Sequence, residues 1–212
     1  MVSVEGGTFQ MGSTDGDDSE KPVHNVTLSS YSIGETEVTQ ALWTAVMGTN
    51  PSYFKGDNLP VEKVTWNDCQ TFITKLNQLT GNSFRLPTEA EWEFAAKGGN
   101  KSKGYTYSGS NTIGDVAWCS NNSSSKTHPV ATKQANELGI YDMSGNVCEW
   151  CQDWFGSYSS TAQSNPTGPT SDSDRMFRGG TWGSLATCCR TAYRNYHEPT
   201  FTYNILGFRL AL

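Results

Sequence analysis

The sequence predicts a mixed α+β domain in which loops occupy much of the chain. Two or three segments have the capped, amphipathic pattern of helices, and short stretches near both ends alternate apolar and polar residues as strands do. Only 35% of the 212 residues are hydrophobic, whereas 12% are aromatic and 21 residues are glycine. This composition favours an irregular fold with aromatic anchors. Because no repeat or linker divides the chain, we expect residues 1–212 to form one domain, with its helices against a small antiparallel sheet.

The N-terminal part of the chain is predicted to contain several short strands. Residues 2–11 alternate apolar and polar side chains, with a turn or bulge at Gly6 and Gly7. Residues 23–28 and 31–38 are the next strand candidates.

Three helices are predicted from their caps and apolar spacing. Thr39 can cap a short helix over residues 40–47, and Gly48 ends it. The clearest helix begins at Trp66 and ends at Gly81, because apolar residues recur at three- and four-residue spacing between them. The third follows Pro87, where Thr88 and Glu91 have the spacing of a capping box.

The C-terminal segment, residues 178–212, has the composition of a contact surface. Its two ends resemble strands, at residues 176–177 and 206–212. Between them, residues 183–205 show no helical period and mix Ser, Thr, Tyr, Asn, His, Phe and Cys. Tyrosine gives large rigid contact area and the small polar residues give adaptable hydrogen bonds, as in binding loops.

Charge and hydropathy exclude some classes of partner. The net charge is −6 and the pI is about 5.0, which argues against nucleic acid or an anionic membrane surface as the partner. No stretch resembles a transmembrane span or a signal peptide. We expect a monomer.

The six cysteines do not have the spacing of a metal site. Cys148 and Cys151 form a single C-x-x-C pair, and no second pair completes a zinc site. The aromatic residues around them favour core packing. On a strand, the adjacent Cys188 and Cys189 would point in opposite directions, so joint chemistry is not expected.

Several blocks of the sequence, in order, resemble the formylglycine-generating enzyme (sulfatase-modifying factor) family. The blocks cover nearly the whole chain and include GTFQMGS at 7–13, RLPTEAEWEFAA at 85–96, YDMSGNVCEW at 141–150, RGGTW at 178–182 and GFR at 207–209. The resemblance implies a C-type lectin-like fold of the formylglycine-generating type, which is α+β and loop-rich.

The resemblance does not carry the enzymatic activity over to this chain. Active members oxidise a substrate cysteine through two of their own cysteines, which bind copper. Here the place of the first cysteine falls near Ser184, and only the second has a candidate, in Cys188 or Cys189. We therefore expect no enzyme. The alternatives left open are a copper oxidase of this type and an invariant, non-catalytic family member.

The same segment resembles the variable proteins of diversity-generating retroelements, most of all those of the Treponema type. In that class, mutation at template adenines turns AAC or AAT codons into many residue types but never into Trp, Met, Gln, Glu or Lys. Against a frame W-x-x-x-A-x-x-C-R-x-A-x-R, every residue at a variable position is one that such codons can reach, whereas Glu198 is not and is expected to be fixed. The predicted ligand-binding residues are Trp182, Gly183, Ser184, Leu185, Thr187, Cys188, Thr191, Tyr193, Asn195, Tyr196, His197, Thr200, Thr202, Tyr203 and Asn204.

This second resemblance implies a non-enzymatic ligand-binding protein whose surface at residues 183–204 is open to diversification. Tyr193, Tyr196 and Tyr203 are the expected anchors. The partner would be an unknown protein or surface ligand, and the location would be the cell surface or the extracellular space.

The family resemblance also implies a calcium loop. Asp142, Gly145, Val147 and Glu149 match it, and carboxylates with intervening backbone carbonyls give calcium the oxygen ligands that it prefers. Alternatively, the two carboxylates cap turns or pair with arginines. No cofactor is required, and calcium would be structural.

Two further sets of residues are interpreted as scaffold. The arginines of the C-terminal segment are expected to pair with Asp142, Glu149 or Asp153; they are Arg178, Arg190, Arg194 and Arg209. An aromatic core is expected for Trp118, Trp150 and Trp154, whereas Trp182 borders the variable-looking segment.

Overall fold

A computed structural model describes all residues, 1–212, and confirms the α+β class. Four α-helices are present: α1 Gln40–Met47, α2 Trp66–Thr80, α3 Glu89–Ala96 and α4 Ile113–Val116. The nine strands are short: β1 Val2–Val4, β2 Gly7–Met11, β3 His24–Leu28, β4 Tyr31–Ile33, β5 Cys148–Trp154, β6 Gln163–Ser164, β7 Arg175–Arg178, β8 Asn195–His197 and β9 Leu206–Gly207.

The strands form three small sheets. β1 pairs with β4, β2 and β6 flank β3, and the largest sheet has the order β8-β7-β5-β9. In that sheet β7 is antiparallel to both β5 and β8, whereas β9 runs parallel to β5. β8 is therefore an edge strand, and residues 175–212 supply three of the four strands.

The boundaries of the three predicted helices are confirmed, because local residues mark where each of them begins and ends. The hydroxyls of Thr39, Thr65 and Thr88 accept hydrogen bonds from backbone N–H groups in the first turns of α1, α2 and α3. Gly48 and Gly81 end α1 and α2 in the left-handed conformation, where a β-carbon is disfavoured.

The sequence overestimates the length of two strands. β4 ends at Ile33, and β9 contains only Leu206 and Gly207. The chain beyond both strands still pairs, because the Gly34 amide donates to the Leu210 carbonyl at 2.7 Å and the Val38 amide donates to the Phe208 carbonyl at 2.9 Å. The pairing is too irregular to continue a ladder.

The central strand, β5, is missed by period-2 reasoning. Its residues are buried almost continuously, so they do not alternate between core and solvent. Cys148 and Cys151 lie in this strand as buried free thiols, as their aromatic neighbours suggest, and burial raises the pKa of both well above the ordinary value.

Two apolar clusters fill the interior. One lies around α1, α2 and the end of the chain, where Trp43 stacks on Phe72 with ring centroids 5.1 Å apart. The other packs α3 against the N-terminal strands. Of the expected aromatic core, Trp150 is buried, whereas Trp118 and Trp154 are only half-buried. Trp118 stacks on His128 with ring centroids 3.7 Å apart, and Leu79, an apolar residue of α2, is 71% exposed. None of the helices is both long enough and apolar enough to cross a membrane.

Candidate ligand-binding site

The segment after β7 leaves the sheet, makes a 16-residue excursion and returns as β8. β7 and β8 pair antiparallel, with Phe177 opposite Asn195 and Met176 opposite Tyr196. Residues 179–194 form the excursion, which includes a 3-10 turn at Ala186–Cys189. Because its ends are fixed by β7 and β8, the excursion is presented as a long surface loop on a rigid sheet.

The loop turns back on itself at Gly180. This glycine has φ of +72°, and a β-carbon there would lie 2.6 Å from Cys189 Sγ and 2.7 Å from the Cys188 carbonyl oxygen. Both the positive φ and the close approach of the 3-10 turn require glycine. The Ser144 hydroxyl donates to the Cys189 carbonyl at 2.8 Å, so the turn is also anchored to the scaffold.

Buried arginines hold the segment from beneath. Arg178 pairs with Glu93 and with Glu89, the latter at 3.1 Å. Arg194 makes two contacts with Glu89, Nε to Oε1 at 2.6 Å and Nη2 to Oε2 at 2.8 Å. Both glutamates lie on α3, so this helix fixes the two ends of the excursion.

The partners of these arginines correct the sequence prediction. Arg190 pairs with Glu20 at 2.6 Å, and only Arg209 finds a predicted partner, Glu149, at 2.6 Å. Asp142 and Asp153 make no ion pair. The carboxylates that pair with the other three arginines lie on α3 or near the N-terminus. They are distant from the arginines along the chain, so the sequence does not indicate the pairing.

Above this base lies a cavity of about 270 Å³. Its floor contains Cys148, Phe177 and Arg178, and the loop walls it. Six of the predicted ligand-binding residues line it: Ser184, Cys188, Tyr193, Asn195, Tyr196 and His197. Gly180, Thr181, Phe201 and Ile205 complete the lining and were missed, because a single sequence does not reveal which side chains turn inward.

Aromatic contacts order the mouth of the cavity. The His197 ring stacks on Phe201 with centroids 3.6 Å apart, and Tyr196 stacks on Phe155 at 3.8 Å. Burial, followed by a hydrogen bond with Cys188, raises the pKa of Tyr193 to about 12, so its hydroxyl stays protonated at neutral pH. The cavity thus offers aromatic and polar groups above the ion-paired Arg178.

Most of the other predicted ligand residues lie on the surrounding surface. Gly183, Leu185, Thr187, Thr200, Thr202 and Tyr203 are exposed, and Asn204 is half-buried. Leu185 and Tyr203, at 67% and 57% exposure, are the most prominent apolar groups. Trp182 is half-buried, since its Nε1 donates to the Asn204 carbonyl at 3.0 Å and Phe54 packs edge-on against its ring.

Thr191 is a correction. It is only 3% exposed, its amide donates to the Thr106 carbonyl and its carbonyl accepts from Arg178. An external ligand therefore cannot reach its side chain in this conformation. The residue is part of the support of the loop.

The two adjacent cysteines occupy different environments, although the reason differs from the one predicted. They lie in a 3-10 turn and not in a strand. Cys189 is buried, and burial raises the pKa of its thiol to about 12, whereas Cys188 is half-buried and lines the cavity. At the position of the missing cysteine, the Ser184 hydroxyl accepts a hydrogen bond from the Thr181 amide at 3.0 Å.

The predicted calcium loop surrounds a buried arginine. Both oxygens of Glu149 accept from Arg209, at 2.6 and 2.7 Å, and Trp92 Nε1 also donates to Glu149 at 2.6 Å. The Ala131 amide donates to Asp142 Oδ2 at 2.7 Å, and burial raises the pKa of Asp142 to about 6. Three donors thus occupy most of the acceptor capacity of Glu149, and this arrangement matches the alternative, an arginine pair.

The other two positions of the calcium loop contribute backbone. The Gly145 amide donates to the Gly179 carbonyl at 2.7 Å, and the Val147 amide donates to Glu37 Oε1 at 3.1 Å. No cluster of three or more His, Cys, Asp or Glu side chains has metal-binding geometry. Calcium binding by Asp142, Gly145, Val147 and Glu149 stays a prediction. Measuring the melting temperature at increasing calcium concentrations would test it.

Comparisons with known sequences match the whole chain. Residues 1–212 match the sulfatase-modifying factor enzyme 1-like domain family. The chain is 38% identical to the chaperone protein LppX of Paenibacillus barcinonensis, over 91% of this chain and 82% of that protein. It is 29% identical to the formylglycine-generating enzyme of Streptomyces coelicolor, over 100% of this chain and 88% of the enzyme.

Solved structures confirm the fold. Treponema denticola variable protein 1 is 37% identical, superposes with a TM-score of 0.93, and the match covers 100% of this chain and 94% of that one. The Major Tropism Determinant U1 variant is 12% identical, with a TM-score of 0.50 over 85% of this chain and 50% of that one, a likeness of fold alone. The architecture is therefore C-type lectin-like, of the formylglycine-generating type, as the resemblance predicted.

Proposed function

Because the chain belongs to the sulfatase-modifying factor enzyme 1-like domain family and matches a Treponema variable protein in structure over its full length, we propose that it is a non-enzymatic ligand-binding protein. Residues 183–204 form its binding surface, which is open to diversification. The partner is a protein or another ligand on a surface, met by a monomer displayed at the cell surface or outside the cell. A shared fold alone does not carry this proposal, because one fold hosts many functions.

The observation that carries the proposal is that residues 183–204 combine buried supporting residues with exposed or cavity-lining residues. The frame residues Cys189, Ala192 and Arg194 are buried, and Arg194 is ion-paired. Nearly all the residues between and beyond them that adenine mutation can reach are exposed or line the cavity. A surface that varies must keep its supports constant, and this alternation meets that requirement.

The binding surface has the composition of an adaptable contact. Tyr193 and Tyr196 line the cavity, and the exposed Tyr203 lies beside the lining residue Phe201, with ring centroids 6.5 Å apart. Tyrosines bury large area at low cost in conformational entropy, and their hydroxyls find polar partners. Truncating such anchors typically weakens binding the most.

A library experiment tests the proposal. Codons of the proposed variable positions are randomised in one library, and those of Cys189, Ala192, Arg194 and Gly180 in a second of equal size. Both are displayed on cells and sorted for resistance to protease. We expect most members of the first library to stay folded and most of the second to be cleaved; equal survival would contradict a variable surface on a fixed support.

The competing function is a copper-dependent oxidase, since formylglycine-generating enzymes are among the relatives. In its favour, Cys148 and Cys188 line the same cavity. Against it, burial keeps Cys148 as a thiol and position 184 carries a serine hydroxyl. Oxygen uptake in the presence of Cu⁺ and a cysteine-containing peptide, abolished by Cys188→Ser, would overturn the non-enzymatic proposal.

A further inference from the structure

A second and larger cavity, of about 570 Å³, lies apart from the binding surface. It is enclosed by the end of β5, the N-terminus of α3 and the loop that follows β5, and it shares no lining residue with the first cavity. Its volume is within the range of small-molecule sites. Of its lining groups, the proposed function uses only the Arg194–Glu89 ion pair, as a support for the loop, and it uses neither Asp153 nor the cavity itself.

The cavity contains a buried carboxylate with one unused oxygen. Asp153 is 4% exposed and lines the cavity. Its Oδ2 accepts from the Glu89 amide at 3.0 Å, whereas Oδ1 accepts no hydrogen bond from the protein. Because Asp153 has lost most of its contact with water and Oδ1 receives no donor from the protein, ionisation of this carboxylate is costly, so the site favours a ligand that supplies a donor to Oδ1.

The arginine beside Asp153 cannot supply that donor. Arg194 directs its N–H groups to Glu89, to the Ser19 carbonyl at 2.7 Å and to the Gly156 carbonyl at 3.0 Å. Arg175 donates to the Gln152 carbonyl at 2.6 Å. The cavity therefore contains a carboxylate that no cation of the protein contacts directly.

The raised pKa of Asp153 is consistent with a carboxylate that no cation contacts. Burial, and then the negative charge of Glu89, raise its pKa to about 8, and Glu91 adds to the effect. The charge of Arg194 lowers the pKa but does not restore the ordinary value. A bound cation would lower the pKa of Asp153 again, because an opposite charge favours the ionised form.

The cavity walls favour a polar ligand over a flat apolar one. The guanidinium carbon of Arg175 lies 3.4 Å from the ring centroid of Trp154, and that of Arg194 lies 3.8 Å from the centroid of Tyr158. Each ring therefore has a face already covered by a guanidinium. Hydroxyl groups of the loop, among them Ser157, Ser164 and Thr167, contribute hydrogen-bonding partners to the rim.

We propose that this cavity binds a small aliphatic amine, whose ammonium group donates to Asp153 Oδ1 while its hydroxyl or carbonyl groups meet the rim. An ammonium group has three donors and a full charge, which fits a desolvated carboxylate better than a neutral hydroxyl does. Of residues 183–204, only the buried Arg194 lines this cavity, and the proposal does not depend on the proposed function.

Matched probes test the proposal in the full chain by titration calorimetry at pH 9, where Asp153, whose pKa is raised to about 8, is largely ionised. 5-Amino-1-pentanol carries the ammonium group, and 1,5-pentanediol has the same chain without it. We expect the amine to bind at least tenfold more tightly than the diol. Asp153→Asn should weaken the amine at least tenfold and leave the diol unchanged, whereas the exposed Asp172→Asn, outside the cavity, should change neither.

A second variant covers the case in which Asp153→Asn does not fold. Thr167→Trp, at an exposed rim position, narrows the cavity with the carboxylate intact and should also weaken the amine at least tenfold. Equal affinity for amine and diol, or unchanged amine binding in both variants, would overturn the proposal. A melting temperature raised by Ca²⁺ and not by the amine would also overturn it, in favour of a metal site. Tyr196→Ser, on the other surface, should leave amine binding unchanged.

Discussion

Replacing Arg194 with methionine removes the support of the binding surface and leaves its exposed side chains in place. The guanidinium makes two contacts with Glu89, donates to the carbonyls of Ser19 and Gly156, and stacks on Tyr158. Its side chain is 2% exposed, so little water can replace these contacts.

The expected loss of stability follows from the charge that remains. Removing one partner of a buried ion pair typically costs about 3–5 kcal/mol, because the other charge stays buried without compensation. Glu89 retains Arg178 at 3.1 Å and the Tyr158 hydroxyl at 3.2 Å. We therefore expect the low end of this range, about 3 kcal/mol, for Arg194→Met.

Urea denaturation followed by tryptophan fluorescence measures this difference, provided that the m-value is unchanged. Tyr196→Ser is the control, because Tyr196 lies two residues away and is exposed. It loses its stack on Phe155 and should cost no more than about 1.5 kcal/mol. The double variant Arg194→Met with Glu89→Gln should recover part of the loss, since no unpaired carboxylate then remains. A loss below about 1 kcal/mol for Arg194→Met, or one no larger than that of Tyr196→Ser, would refute the reasoning.

Three further outcomes are expected. Gly180→Ala should destabilise the chain by about 1–3 kcal/mol, because φ is +72° and the new methyl group would meet Cys189, whereas Gly183→Ala, with nothing closer than 3.7 Å, should be nearly neutral in thermal melts. Cys188→Ser should leave the melting temperature unchanged and alter only ligand preference, whereas the same substitution at buried Cys189 should lower it; equal effects would contradict the assigned environments. The pKa of Asp153 is raised from 3.8 to about 8, so its contribution to stability is fully present below pH 4 and is lost as pH rises through 8; Asp153→Asn should remove this decline, and a parallel decline in the variant would contradict the assignment.

The sequence predicts the helices well because their signals are local. A threonine cap and a terminal glycine each act within one turn, and no tertiary contact is needed to place them. The 3-10 turn at Ala186–Cys189 and strand β5 have no such signal. β5 is buried on both faces and contains Glu149 and Asp153, so it reads as neither an alternating nor an apolar strand.

The exposed residues of the candidate site can be predicted from the sequence, whereas its buried residues cannot. The exposed positions follow from the small polar and aromatic composition of residues 183–204. Thr191 belongs to the same compositional class, yet backbone hydrogen bonds bury it beside Arg178. The floor residues Cys148 and Phe177 come from other strands, and only the sheet register brings them beneath the loop.

The most direct test of a displayed, diversifiable surface is deep sequencing of the 3′ end of this gene across a growing population of its source, beside a search for an adenine-matched template downstream. If the surface is diversified, sequence variation should be confined to the proposed positions within 183–204. The codons of Trp182, Cys189, Arg190, Glu198 and Gly207 should be unchanged. Because Thr191 is buried, it should vary least among the positions that adenine mutation can reach. A uniform sequence without a template would contradict diversification and leave a binder of fixed specificity to be tested by its ligand.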